Sequence, residues 1–453
     1  MEKEQCKTSL KRDLGLFPAI ALVVGMVIGS GIFMKPGRVL AAAGDSTSGL
    51  AAWVLGGGIA LAAGLTMAEL GARIPKTGGV YVYLTEVYGR LWGYLFGWVQ
   101  TVIYGPATIG ALGLYFGSLL LPFLSLPEFW RLPVAVGIVV FMAALNCLGA
   151  KYGGIIQSVA TVGKLIPIAI IAFFGLWKGN GQILGMSSDV SGTVSMGAAI
   201  LATLWAYDGW VGVSFVAGEM KNPSKQLPQA IIFGLGIVII AYMLINLAVL
   251  HVLPAAEIVR LDKQATGAAA GVLFGDMGGR LINTGILVSI FGALNGYILT
   301  NSRVPYAMAL RGQLPWSKYF ARVHPGFGTP VNAMFLEVGL AVLLMIWWDP
   351  DKLTDMAMFA VWIFYVSAFI AVFLLRRRQP GTFPSYRVPG YPAVPLIALA
   401  GAVYIIISTV FDQPVESLYA LGTTLLGLPV YLMITGQKRP CPANLHFRQG
   451  SDG

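Results

Sequence analysis

The sequence predicts an all-α integral membrane protein of twelve helical crossings, with the first and sixth crossings interrupted. Three observations carry that reading. Only 11 % of the 453 residues are charged and 57 % are hydrophobic, whereas a soluble domain has roughly a quarter of its residues charged. Apolar runs long enough to span a bilayer recur along the whole chain. Two of those runs carry, at their centres, residues that weaken a helix.

The runs cover approximately 14–43, 49–72, 91–122, 131–148, 155–177, 193–218, 227–252, 277–310, 331–348, 353–375, 391–411 and 417–435. Backbone groups in lipid must satisfy one another, so these runs are helices. The longest connection on the outer side, near 253–276, contains "AAEIVRLDKQ" and is expected to form short helices of its own. The chain divides into a tail (1–13), one transmembrane domain (14–435) and a second tail (436–453). Within the domain, 14–178 and 193–375 read as two halves, and 391–435 holds the last two helices.

An even number of crossings puts both termini on one side. Twenty-one of the thirty Lys and Arg residues fall on that side, among them Lys7, Arg73, Lys76, Lys151, Arg303 and Arg376, against six on the other. The positive-inside bias makes the basic side cytoplasmic. It also accounts for the net charge of +10 without nucleic acid as a partner.

The first run has thirty residues. A straight helix of that length would reach about 45 Å, against about 30 Å of hydrocarbon. "VVGMVIGSGIF" (23–33) places Gly25, Gly29 and Gly31 near its middle. Gly25 and Gly29 form a G-x-x-x-G pair, which alone would also suit helix packing. The sixth run shifts the balance towards a break, because "LWAYDGW" (204–210) sets Asp208 and Gly209 at its centre. Asp is costly at bilayer depth. Interrupted helices in corresponding positions of two halves point to an inverted-repeat carrier with its site at the breaks.

A broken helix exposes amides at one end, which attract a carboxylate, and carbonyls at the other, which accept from an ammonium. Two breaks side by side suit a zwitterionic α-amino acid. Glycine lets the ligand approach the backbone closely.

Lys164 lies about mid-span in the fifth run, Asp208 at the break of the sixth and Glu337 in the cytoplasmic third of the ninth. Such residues are functional candidates by default. Lys164 is too deep to reach water and is expected to pair with backbone carbonyls. Its ammonium could stand where a sodium-driven carrier holds Na⁺, or it could carry a proton. Asp208 either caps the second half-helix or touches substrate. Glu337 is expected to reach the interface or pair locally. Cys6, Cys147 and Cys441 have no metal-ligand spacing, and the three histidines are far apart. No metal, cofactor or enzyme chemistry is expected.

At these residues the chain resembles the L-amino-acid transporter family of the amino acid–polyamine–organocation superfamily. It is similar to the bacterial serine/threonine and alanine–serine–cysteine exchangers of that family. The motifs are "IGSGIFMKPG" (28–37), "AELGARIPKTGGVYVYL" (68–84), "WAYDGW" (205–210), "GEMKNPSKQLPQAI" (218–231) and "FGALNGYILTNSRVPYAMA" (291–309). The resemblance implies a 5+5 inverted repeat of the LeuT-like type. It also implies substrate contacts from Val27, Gly29, Ser30 and Gly31 on the carboxylate side. Trp205, Ala206, Asp208 and Gly209 would line the amino-group and side-chain side, with Trp205 as an aromatic lid. Lys164 matches the family's fifth-span lysine, and Ser289 lies near the position that meets it.

Animal members pair with a glycoprotein through a cysteine between spans 3 and 4. The loop near 120–131 has no cysteine, so no disulfide-linked subunit is expected. The function implied is sodium-independent exchange of small neutral L-amino acids across a bacterial plasma membrane. Proton-coupled symport, acceptance of cationic side chains, and sensing without turnover remain open at the level of sequence.

Overall fold

Apolar runs this long fold as helices, and the computed structural model describes them over residues 10, 12–181, 194–379, 381, 384–412 and 414–435. The C-terminal tail and most of the N-terminal tail fall outside the described residues. In the first half the helices are α1 (Leu16–Val27), α2 (Gly31–Met34), α3 (Pro36–Ala43), α4 (Ser46–Arg73), α5 (Val80–Tyr88), α6 (Arg90–Val99), α7 (Gly105–Leu124), α8 (Arg131–Cys147) and α9 (Ala150–Lys178). The second half holds α10 (Met196–Ala206), α11 (Gly212–Phe215), α12 (Pro223–Val252), α13 (Ala255–Leu261), α14 (Ala265–Phe274), α15 (Asp276–Asn301), α16 (Arg303–Leu310), α17 (Ser317–Phe320), α18 (Val331–Trp347) and α19 (Pro350–Arg378). Two helices follow, α20 (Ala393–Asp412) and α21 (Pro414–Thr435).

Among the described residues, ten helical stretches are long and apolar enough to cross a bilayer, and α10 and α18 are apolar but shorter. The connection after α12 folds into α13, a 3₁₀ turn and α14, as the sequence suggested. Both expected interruptions are present. Helix stops at Val27 and resumes at Gly31, and it stops again at Ala206 and resumes at Gly212. A third irregularity has no glycine or proline signal at its centre: a π turn over Gln100–Tyr104 joins α6 to α7.

The interrupted segments lie at the centre of the bundle. α1 packs among α9, α12 and α15, and its residues from Ala21 to Val27 are buried. Gly25 is a packing glycine, since a Cβ there would run into Gln157 and Thr161 of α9. Large apolar side chains such as Phe129, Trp177, Trp347, Phe411 and Leu432 point outward instead. That exposure suits a lipid-facing surface.

One end of the bundle is tied shut by polar contacts. Leu14 pairs with Met220 in an isolated parallel β-bridge, with Leu14 N donating to Glu219 O (2.9 Å) and Lys221 N to Leu14 O (3.0 Å). Glu219 receives a bidentate pair from Arg303, Nε to Oε1 at 2.7 Å and Nη2 to Oε2 at 3.0 Å, and both side chains are buried. Arg303 therefore is not a loop cation, as its place in the charge pattern implied. It is the first residue of α16, and its guanidinium also donates to Leu299 O and Ser302 Oγ. Nearby, Glu69 accepts from Arg73, from Arg376 and from the Val388 amide.

Candidate functional site

The gap between α1 and α2 leaves main-chain groups without helical partners. Ile28 N and Gly29 N still donate backwards, to Val24 O and Val27 O. The next helical bonds start at Phe33 N and Met34 N, both to Ser30 O. The amides of Ser30, Gly31 and Ile32 have no backbone acceptor among the described residues. Three free amides at a helix start form an anion-attracting nest.

The carbonyls released by the same gap are mostly covered. Lys164 Nζ donates to Gly25 O (2.8 Å), Ile28 O (2.6 Å) and Ser289 O (2.9 Å). Ser289 Oγ reaches Ile28 O (2.8 Å) and Gly29 O (2.9 Å). All three ammonium protons of Lys164 are thus engaged. The Tyr242 hydroxyl is 3.0 Å from Val27 O and 2.9 Å from Ala206 O, with one proton shared between the two interrupted segments. The lysine and the tyrosine therefore act as caps for helix ends that stop inside the bundle.

In the second gap, Tyr207 N bonds to Thr203 O and Asp208 N to Trp205 O, closing the end of α10. Gly209 has φ +108, a left-handed conformation, and a Cβ there would lie 3.1 Å from the backbone of Met26. Glycine is required by both backbone shape and close approach. Asp208 Oδ2 accepts from the Tyr104 hydroxyl at 2.8 Å. Its Oδ1 is buried and has no hydrogen-bond partner among the described residues.

These groups surround a cavity of about 60 Å³. Val27, Gly29, Ser30, Gly31, Trp205, Ala206 and Asp208 all line it. Gly209 does not; it lies behind the wall, against Met26 and Tyr297. Lys164 and Ser289 also stand behind the wall and hold it rather than form it. Gly31 is pressed against Trp205 and Ala206, with a Cβ position only 3.0–3.2 Å from their atoms. Gly29 is different: its nearest Cβ neighbour is Ala293, at 4.0 Å. Its missing side chain leaves open space towards the cavity.

Tyr104, Thr108, Tyr115, Tyr297, Thr354 and Met358 also line the wall, and the sequence singled out none of them. Tyr104 closes the π turn, which turns its hydroxyl towards Asp208. Glu337 also departs from expectation. It neither reaches the interface nor pairs locally: it is buried on α18 against Gly105, and neither carboxyl oxygen has a hydrogen-bond partner among the described residues.

Comparison with known proteins adds the ancestry. The family model described as amino acid permease matches residues 14–434. The chain belongs to the amino acid permease family. It is 50 % identical over 422 residues to a serine/threonine exchanger, SteT, of Bacillus subtilis (strain 168), covering 93 % of this chain and 96 % of that one. Two further permeases are more distant. The human cystine/glutamate transporter is 31 % identical, over 96 % of this chain and 88 % of its own. The mouse b(0,+)-type amino acid transporter 1 is 30 % identical, over 95 % and 89 %. The match to the permease family spans both interrupted segments and every residue of the cavity wall.

Proposed function

We propose that this permease is a secondary carrier exchanging small neutral L-amino acids, of the serine, threonine and alanine range, by alternating access. The observation that carries the reading is the pairing of three unbonded amides, Ser30 to Ile32, with the unpartnered Asp208 Oδ1 across one small cavity. An α-carboxylate occupies the amides, and the α-ammonium lies towards Asp208 and the Ala206 carbonyl. The side chain then sits beneath Trp205. About 60 Å³ is room for a few water-sized groups, which suits a short side chain.

Lys164 supplies a fixed positive charge where two helix halves separate. With each of its protons on a carbonyl, it favours a carrier that needs no sodium and moves no proton through this residue. Such a carrier runs as an exchanger. The identity to a serine/threonine exchanger supports the same substrate class.

In this reading the twelve helical segments cross the membrane as two inverted five-helix halves plus α20 and α21. The basic face is cytoplasmic, the membrane is a bacterial plasma membrane, and the carrier works without a disulfide-linked subunit. Counterflow in proteoliposomes tests the proposal. Labelled serine should enter vesicles loaded with unlabelled serine, threonine or alanine, and entry should stop when the interior is empty. Uptake indifferent to internal amino acid overturns exchange, and uptake driven by an imposed pH gradient makes the carrier a proton symporter.

A further inference from the structure

A second cavity, of about 130 Å³, adjoins the first and shares Trp205 and Met358 with it. Lys35, Arg38 and Asp355 line it. Lys35 lies in the short link between α2 and α3, one turn beyond the amide nest. Its ammonium sits 4.4 Å from the centre of the Trp205 ring. The residue belongs to the motif "IGSGIFMKPG", and the substrate-binding role given to that motif does not use it.

An aromatic lid over a binding site ordinarily attracts cations, because the ring face carries the negative end of its quadrupole. Asp208 on the far wall would draw them in further. Taken alone, those two groups favour lysine or arginine side chains. Lys35 opposes both. It already occupies one face of the Trp205 ring, and its charge lies in the cavity that adjoins the first. The other charges acting on Lys35 are Arg38, Asp355, Asp351 and Lys263. Asp351 is engaged by Lys263 (3.3 Å) and by the Tyr115 hydroxyl (2.5 Å). Lys35 thus keeps its own positive charge beside the ring, with Arg38 adding a second nearby.

We infer that Lys35 is a specificity-determining residue that excludes cationic amino acids by pre-empting the Trp205 ring face and repelling a second positive charge. The inference rests on the amino acid carrier reading and names which substrates that carrier refuses. A guanidinium seated on the free face of Trp205 would lie roughly 8 Å from the Lys35 ammonium. At an effective dielectric of about 20, that repulsion corresponds to roughly a thirtyfold loss of affinity.

Competition against labelled serine counterflow tests the inference. Citrulline has nearly the shape of arginine without its charge. In the wild-type carrier citrulline should inhibit roughly thirty times more strongly than arginine. Lys35→Gln should narrow that ratio to about two while leaving the serine KM within about twofold, and Lys35→Arg should keep the wild-type ratio. Equal exclusion of citrulline and arginine by the wild type would mean that size, not charge, does the sorting, and would overturn the inference without any variant. An unchanged ratio in Lys35→Gln would overturn it as well. Wild-type counterflow of serine with arginine accepted equally defeats this inference alone, whereas absence of any amino acid counterflow defeats the carrier reading and this inference together.

Discussion

Lys164 and Glu337 are both buried ionisable side chains, yet their surroundings are opposite. Lys164 meets three carbonyls, at 2.6–2.9 Å, and at Gly25 and Ile28 it replaces amides that a continuous helix would have supplied. Lys164→Met leaves Gly25 O without its donor and takes one of two donors from Ile28 O, a buried unpaired acceptor costing about 1–3 kcal/mol. Serine counterflow should fall at least about a hundredfold, with a lower melting temperature in detergent. Glu337 meets no donor among the described residues. An ionised carboxylate is very expensive in such a site, and a neutral group of the same shape is far cheaper. Glu337→Gln should therefore keep serine KM and maximal exchange within about twofold and match or raise the melting temperature. A large loss of stability in Glu337→Gln would mean that the negative charge has a partner. At this scale sequence reasoning was uneven. Lys164 was legible because depth alone forbids an unpaired ammonium. Tyr104 was not, because one tyrosine among eighteen gives no sign that a π turn will aim it at Asp208.

The interrupted segments were legible as elements because glycine and aspartate at mid-span contradict their apolar neighbours. What each glycine does there was not legible, since that depends on which atoms lie opposite. Gly29 and Gly31 are two residues apart, and only Gly31 faces packed neighbours, Trp205 and Ala206. The two should therefore separate binding from stability. Gly29→Ala puts a methyl into the ligand's space and touches little else. Serine KM should rise about tenfold or more, equivalent to about 1.4 kcal/mol, with the melting temperature nearly unchanged. Gly31→Ala forces the two segments apart, and overpacking of this kind typically costs about 1–3 kcal/mol. Both KM and melting temperature should suffer. Equal effects from the two variants, read by counterflow and thermal unfolding, would mean that the cavity wall is not where the ligand lies. The π turn between α6 and α7 shows the limit of pattern reading. It lies in "GWVQTVIYGPA", directly before Gly105 and Pro106, and a proline there has no N–H for the carbonyl one turn back, yet the pair reads equally well as an ordinary helix start.

Across the whole molecule the two ends of the central path differ. At the basic end Leu14 is stitched to Met220, and Arg303 holds Glu219 in a buried bidentate pair. At the other end the cavity between the interrupted segments is separated from the Lys35 cavity by the shared side chains Trp205 and Met358. The protein is thus in a conformation closed towards its basic face, and exchange requires that closure to open once in each full cycle. Removing Arg303 alone leaves a buried carboxylate unpaired, at a cost of about 3–5 kcal/mol. Arg303→Met should therefore express poorly and melt early. Removing both charges, with Glu219→Gln and Arg303→Met together, should recover much of that loss, because neither partner is left uncompensated. What the double variant should not recover is the balance between states, since the bidentate link exists only when the basic face is closed. The population should shift towards the form open on that face by roughly tenfold, equivalent to about 1.4 kcal/mol. Vesicles of the two orientations separate these effects. In the double variant, serine KM measured from the basic face should fall and KM from the opposite face should rise, while equal changes on both faces would reduce the Glu219–Arg303 pair to a structural brace with no part in gating.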